Sequence, residues 1–430
     1  MIHQGGRNKM KVLKKIVKVV VSVVLVVSIA LLVCLNFKTV LAAHKNHAVI
    51  EAAEQVTDLT IPEGVQIVGL GEASHGSVEF QESKLDVLQI LVEKYDYSAI
   101  AIEADFCDCL AANAYVQGGE GNARDIVNNF AFTIYHTQQM ADLLEWMRAY
   151  NAGVAADERL RFYGFDMQNP EPGVPYLIGY LDAHEITGCG TTNLKILADE
   201  NRTEPLTEQN LNGIQAELTA IEKALESQDE DFDTICAGKV VENIRTAMEY
   251  YTMDGADMLT FRDASMAANV SWILDLEKEI GTGKVMLAGH NGHIGLRGQS
   301  CYQSMGVVLK EQYGDAYYSL GTDFFKGKSN IHVTGADKRK DFFVTTADPM
   351  AYQAKYVEDH RYYVDFATLD QANNEKVYDM VHKPMSTGSL GESFSEVCYL
   401  MHCSYRLNIE PANLYDGMIF YYEVTAIDPE

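Results

Sequence analysis

Neither an internal repeat nor a low-complexity tract occurs in this chain, and cysteine is scarce. Of its eight cysteines, Cys34 falls in an apolar run near the N-terminus, and an odd number remains in nearly 400 residues. That is too few for a disulfide scaffold. Cys107 and Cys109 lie two apart and Cys398 and Cys403 five apart, with no zinc-site pattern around either, so these read as scattered buried thiols. Basic residues are also short in supply. Residues 1–38 hold seven of the 34 and no acid, leaving 27 bases for a body that carries all 61 acids. A body this acidic repels phosphate backbones, which excludes nucleic acid as a partner. No Gly-x-Ser-x-Gly occurs, so the signature of serine-nucleophile hydrolases is missing. The run from Gly321 to Gly327–Lys328–Ser329 is one residue too long for a Walker loop.

With 430 residues, 47% hydrophobic and 22% charged, the chain can form one large or two ordinary globular domains. Arg7, Lys9, Lys11, Lys14, Lys15 and Lys18 precede an uncharged stretch from Val19 to Leu35. Cations followed by an apolar run place the N-terminus inside and the body outside. The expectation is a basic cytoplasmic tail over 1–18, a transmembrane anchor or signal segment over 19–35, and an irregular linker over 36–48. Val40 and Ala42 suit signal cleavage, giving either a membrane-anchored body or one secreted after cleavage near Ala42. Leu31–Leu32–Val33–Cys34 fails as a lipoprotein box because Val33 is too large.

From residue 49 to 430, short apolar runs alternate with helical patterns. Strands are expected at Val65–Leu70, Tyr97–Ile102, Leu160–Phe165, Lys284–Ala288, Ala316–Leu320, Phe342–Thr346 and Met418–Val424. Helices are expected at Val78–Tyr95, Cys109–Val116 and Met140–Tyr150. Such alternation argues an α/β fold with a mostly parallel sheet flanked by helices. From about 205 to 280 the pattern is helical only, and reads as an inserted hairpin or cap.

Chemistry-bearing residues collect where the strands end. Gly71–Glu72–Ala73–Ser74–His75–Gly76 follows the first strand, and Glu103 and Asp105 end the second. Asp166 ends the third, and Gly289–His290–Asn291–Gly292–His293 ends the fourth. In a parallel α/β sheet these carboxyl ends share one edge, where ligands bind. Two chemistries fit. A carboxylate-held histidine can take a proton from water that attacks an ester, with other histidines stabilising the oxyanion. Alternatively, Glu72-x-x-His75 and His290-x-x-His293 can supply metal ligands.

The motifs at 71–76, Ala101–Ile102–Glu103–Ala104–Asp105, Phe162–Tyr163–Gly164–Phe165–Asp166, Arg262–Asp263 and 289–293 resemble the erythromycin esterase family. So do Asn113–Ala114–Tyr115–Val116 and Tyr317–Tyr318–Ser319–Leu320–Gly321, and the likeness covers about residues 50–430. The resemblance implies hydrolysis of an ester or lactone by activated water, without metal or other cofactor. It implies His75 as general base with Glu72, and Glu103, His290 and His293 as the other catalytic positions. Lys84 stands where the family carries an arginine. Lys84, Arg262, Asp105 and Asp166 are the expected substrate-binding residues, with a small-molecule ester or lactone as the partner. The alternative is a metal- or haem-binding envelope protein on a related fold.

Overall fold

In the computed structural model the described residues are 2–199, 201–298 and 302–429, without the side chains of 2–13, 31, 32, 34 and 35. Eleven strands occur among them: β1 Ile67–Glu72, β2 Ala99–Asp105, β3 Arg161–Asp166, β4 Val285–His290, β5 Tyr317–Val333, β6 Arg339–Thr345, β7 Arg361–Asp365, β8 Met385–Gly388, β9 Ser393–Phe394, β10 Arg406–Ile409 and β11 Gly417–Val424. The main sheet runs β3-β2-β4-β1-β5-β11-β7, with β6 and β9 joined to the far half of β5. From β3 to β11 the pairing is parallel, and β7 closes the edge antiparallel to β11.

Alternation along the strands divides the core in two. Ile67, Ala99, Ala101, Tyr163, Phe165, Val285 and Leu287 face one way, onto helices that include Gly255–Ile280 and Met305–Tyr313. Val68, Leu70, Ile100, Ile102, Phe162, Met286 and Ala288 face the other, onto the helices Val78–Tyr95, Phe106–Val116 and Gln138–Asn151. Helices on both faces explain why the central strands are buried end to end rather than alternately polar. In the 138–151 helix, Met140, Leu143, Leu144 and Met147 repeat at helical spacing, and Thr137 caps its start by accepting the Met140 N–H.

Chain direction reverses around β1. The chain moves outward through β2 to β3, returns to insert β4 beside β1, and then builds β5 on the other side. The crevice at the carboxyl ends of β1 and β4 is therefore a topological switch point.

A bulge in β2 shapes that crevice. Ile102 pairs with Gly164 and Asp105 with Asp166, so Glu103 and Ala104 together oppose Phe165. Gly164 is what lets the bulged backbone pass, since a Cβ there would sit 2.4 Å from the Ala104 carbonyl oxygen and 2.5 Å from that of Asp105. Gly164→Ala is expected to cost about 1–3 kcal/mol as an overpacked site. Because Glu103 lies in the bulge, activity should fall as well. A urea midpoint and activity matching wild type would show that the bulge yields freely.

Two expectations for the outer parts are corrected, and the expected anchor finds no support. The segment 36–48 is not an irregular linker: the N-terminal helix runs Ile2–Ala42, and a short helix, His47–Glu51, follows. The stretch Asn36–Ala43 contains neither glycine nor proline, so nothing breaks the helix where the apolar run ends. No helix of the described residues is long and apolar enough to cross a membrane. The expected anchor includes Leu31, Leu32, Cys34 and Leu35, whose side chains lie outside those described. Finally, residues 208–280 form three helices, Glu208–Leu225, Phe232–Tyr250 and Gly255–Ile280, rather than a hairpin. The third lies on the sheet and leads directly into β4.

Candidate active site

Glu72 and His290 end their strands as register partners, β1 against β4. The turn after β1 brings His75 back over Glu72, and its Nδ1 lies 2.6 Å from Glu72 Oε1. A carboxylate only accepts, so this contact puts the ring proton on Nδ1 and leaves Nε2 as the free basic nitrogen. The second oxygen of Glu72 accepts from Lys84 Nζ at 2.7 Å. Burial opposes the charge on Glu72, but Lys84 and His75 outweigh it and hold its pKa down to about 2. For His75 burial pulls the other way too, yet the Glu72 bond and the charges of Glu72, Glu103 and Glu392 raise its pKa above the ordinary 6.5.

Across the cleft stands a second histidine–carboxylate pair. His293 Nδ1 lies 2.8 Å from Asp263 Oδ1, and that oxygen also accepts the Met305 N–H. His293 Nε2 is 3.3 Å from Glu103 Oε1 and 3.3 Å from Arg262 Nη1. These two contacts demand opposite protonation states of Nε2. Two carboxylates flank the ring, while the guanidinium is already neutralised by Asp166 and Glu103, so the protonated ring wins. Its pKa, lowered by burial but raised more by Glu103 and Asp263, reaches about 9.

His290 lies between them, its ring centroid 5.0 Å from that of His75 and 6.4 Å from that of His293. The Gly292 N–H donates to its Nδ1, and its Nε2 lies 3.1 Å from the Leu390 carbonyl oxygen. A backbone N–H can only donate and a carbonyl only accept, which assigns the neutral Nε2–H tautomer. Burial and the neighbouring His75 accordingly depress its pKa to about 3. Both ring nitrogens are spent. Contrary to expectation from the sequence, His290 is no free oxyanion donor; it holds the 388–392 loop over the site.

Glu103 ties the walls together. Its Oε2 accepts the His290 backbone N–H at 2.7 Å, and its Oε1 accepts from Arg262 at 3.0 Å. Arg262 also grips Asp166 through Nε and Nη2. The cleft above has a volume of about 490 Å³ and is lined by His75, Glu103, Arg262, His290 and His293. Phe132, Ile134, Gln168, His332 and Glu392 complete much of the wall.

Three residues expected to bind substrate do not line this cleft. Lys84 is 1% exposed beneath Glu72, its ammonium matched by Glu72, Gln81 Oε1 and the Phe80 carbonyl. Asp105 caps the 106–116 helix through the Cys107 N–H and accepts from Asn169 N–H. Asp166 serves Arg262. Arg262 does reach the cleft. Asp263, His332, Glu392 and the Leu390 carbonyl were not foreseen as parts of the site. Only Asp263 had a legible signal, its place beside Arg262 in a family motif.

The family model for erythromycin esterase matches residues 92–424. The chain belongs to the erythromycin esterase family. YbfO of Bacillus subtilis (strain 168), named only provisionally as a hydrolase, is 21% identical over 304 residues, 62% of this chain and 66% of that protein. Erythromycin esterase type I of Escherichia coli is 23% identical over 112 residues, 26% of each. The chain thus spans just under two thirds of the first relative and about a quarter of the second. Among solved structures, a Bacillus cereus protein matches with TM-score 0.73 at 20% identity, covering 90% of this chain and all of that one. A mutant of the erythromycin esterase EreC in its open conformation matches with TM-score 0.57 at 16% identity, covering 85% and 92%. At these identities the structures attest the fold of the family alone.

Proposed function

We propose that this chain is a hydrolase that cleaves a carboxylic ester or lactone of a small molecule with water activated by His75. The observation that carries this reading is the facing of two histidine–carboxylate pairs, one with a free basic nitrogen and one held protonated, across a single cleft. Neutral His75 takes a proton through Nε2 as water attacks the carbonyl carbon, and Glu72 steadies the imidazolium so formed. Arg262 Nη1 donates to the oxyanion on the opposite wall, and the positive charge of protonated His293, whose own N–H groups serve Asp263 and Glu103, adds to the stabilisation. Collapse passes the proton from His75 to the departing alkoxide, leaving acid and alcohol. Membership of the esterase family supports this chemistry. The metal-binding alternative has less behind it: among the described residues no group of three or more His, Cys, Asp or Glu is arranged to hold a metal ion.

The test is hydrolysis of an ester library, macrolide lactones included, by the full-length protein. Cleavage of no ester faster than by the His75→Ala protein would overturn the reading. The pH profile tests the protonation states. kcat/KM should rise with pH as His75, its pKa raised, loses its proton, and fall near pH 9 as His293 loses its own. Glu72→Gln removes the charge that raises His75, so the acid limb should move to lower pH. A limb that stays in place would assign it to another group.

We infer further that the body lies outside the membrane, held to it by the N-terminal segment or secreted after cleavage near Ala42; the basic-then-apolar N-terminus supports this. Cell fractionation with N-terminal sequencing tests this. Intact protein found only in the cytosol would refute it.

A further inference from the structure

Apart from the N-terminal helix, eight large apolar side chains are exposed among the described residues, and four of them, unlike Leu211, Tyr251, Leu259 and Tyr356, share one protrusion. Val397, Leu400 and Met401 are 59%, 61% and 54% exposed on and just after the 3₁₀ turn Glu396–Leu400, and Phe343 is 48% exposed on β6. The turn is braced against β6: the Tyr399 hydroxyl donates to the Phe343 carbonyl, and Lys340 pairs with Glu396. One exposed leucine needs no explanation, but four large apolar side chains on one braced protrusion do.

The N-terminal helix leaves the body beside this protrusion. Arg406 Nη2 donates to Thr39 Oγ1 at 3.4 Å, and Arg406 in turn reaches His402, next to Met401. Along that helix Val20, Val21, Val23, Val24, Leu25 and Val26 are each more than half exposed, so apolar surface runs around its whole circumference. A helix apolar on all sides requires an apolar surrounding.

We propose that one lipid bilayer covers both, the 396–401 turn inserting Val397, Leu400 and Met401 into the interface beside the N-terminal helix. This rests on the membrane location proposed above, and requires only that the helix contact lipid, whether or not it crosses. The exposed Lys38, next to Thr39, offers a cation to anionic headgroups where the helix leaves an otherwise acidic body. Gly391 and Glu392 of the cleft wall lie only a few residues before the turn. Docking here therefore holds the cleft rim at the membrane surface.

The experiment uses full-length protein carrying V24W or L400W, mixed with phosphatidylcholine–phosphatidylglycerol vesicles whose acyl chains are brominated. Bromine quenches only tryptophan that enters the acyl region, and the wild-type signal from Trp146 and Trp272 is subtracted. The expected result is a loss of intensity and a blue shift for both variants. Quenching of V24W without L400W would overturn the docked turn and leave the membrane location standing. Quenching of neither would overturn both.

Discussion

His75→Ala is expected to lower kcat for a responsive ester by about 10²–10⁴-fold, the usual worth of a general base. That corresponds to roughly 3–5 kcal/mol of barrier. The loss should fall on kcat, with KM little changed, because the base acts on water and not on the bound substrate. His75 packs on the cleft surface with 11% of its side chain exposed, so its removal leaves the core in place. It does free Glu72 Oε1, but Lys84 still neutralises that carboxylate. Circular dichroism should therefore match wild type. A folded variant with near-wild-type kcat would remove His75 from the mechanism.

Arg262→Ala is expected to be the most destabilising substitution in the site, by about 3–5 kcal/mol, the cost of leaving buried charges without their partner. Asp166 is fully buried and its carboxylate is gripped by Arg262 at 2.6 Å, while Glu103 loses one of its two cationic neighbours. Arg262→Lys should recover part of the loss, since lysine restores the charge without the planar fork that spans both carboxylates. Urea unfolding reads the result as a fall in midpoint at constant slope. A midpoint unchanged in the alanine variant would show that Asp166 finds another partner. Both variants should also lose activity if Arg262 faces the oxyanion.

Much of the fold was legible because it is local. The helix Val78–Tyr95 agrees residue for residue with its apolar spacing, and β1 to β4 lie within a few residues of the apolar runs that announced them. Strand β7, Arg361–Asp365, was missed: it is rich in tyrosine, and its hydrogen bonds come from β11, more than 50 residues later, and from Glu54, about 300 residues earlier. The far half of β5 escaped for a similar reason, since Lys326–His332 is polar and becomes strand by pairing with β6.

The site divides along the same line. Placing Glu72, His75, Glu103, His290 and His293 at one edge needed only the rule that parallel strands end together. Their roles needed contacts across the chain. Lys84 looks like a cleft cation in sequence and becomes a buried counter-ion because the 78–95 helix lays it beneath Glu72. Asp105 looked like a ligand contact, although an aspartate just before a helix is equally the signal of an N-cap. His290 looked like a free donor until the Leu390 carbonyl, 100 residues later, accepted its Nε2–H.

The amino-acid sequence by itself determined the α/β class, the switch-point edge and the set of ionisable residues delivered to it. Apolar periodicity and strand ends are properties of neighbours along the chain. Only the tertiary structure decided which histidine is free, which is charged and which is spent. Protonation depends on the burial and the partners of each ring, and those partners come from the helix at 255–280, the bulge in β2 and the loop at 388–392.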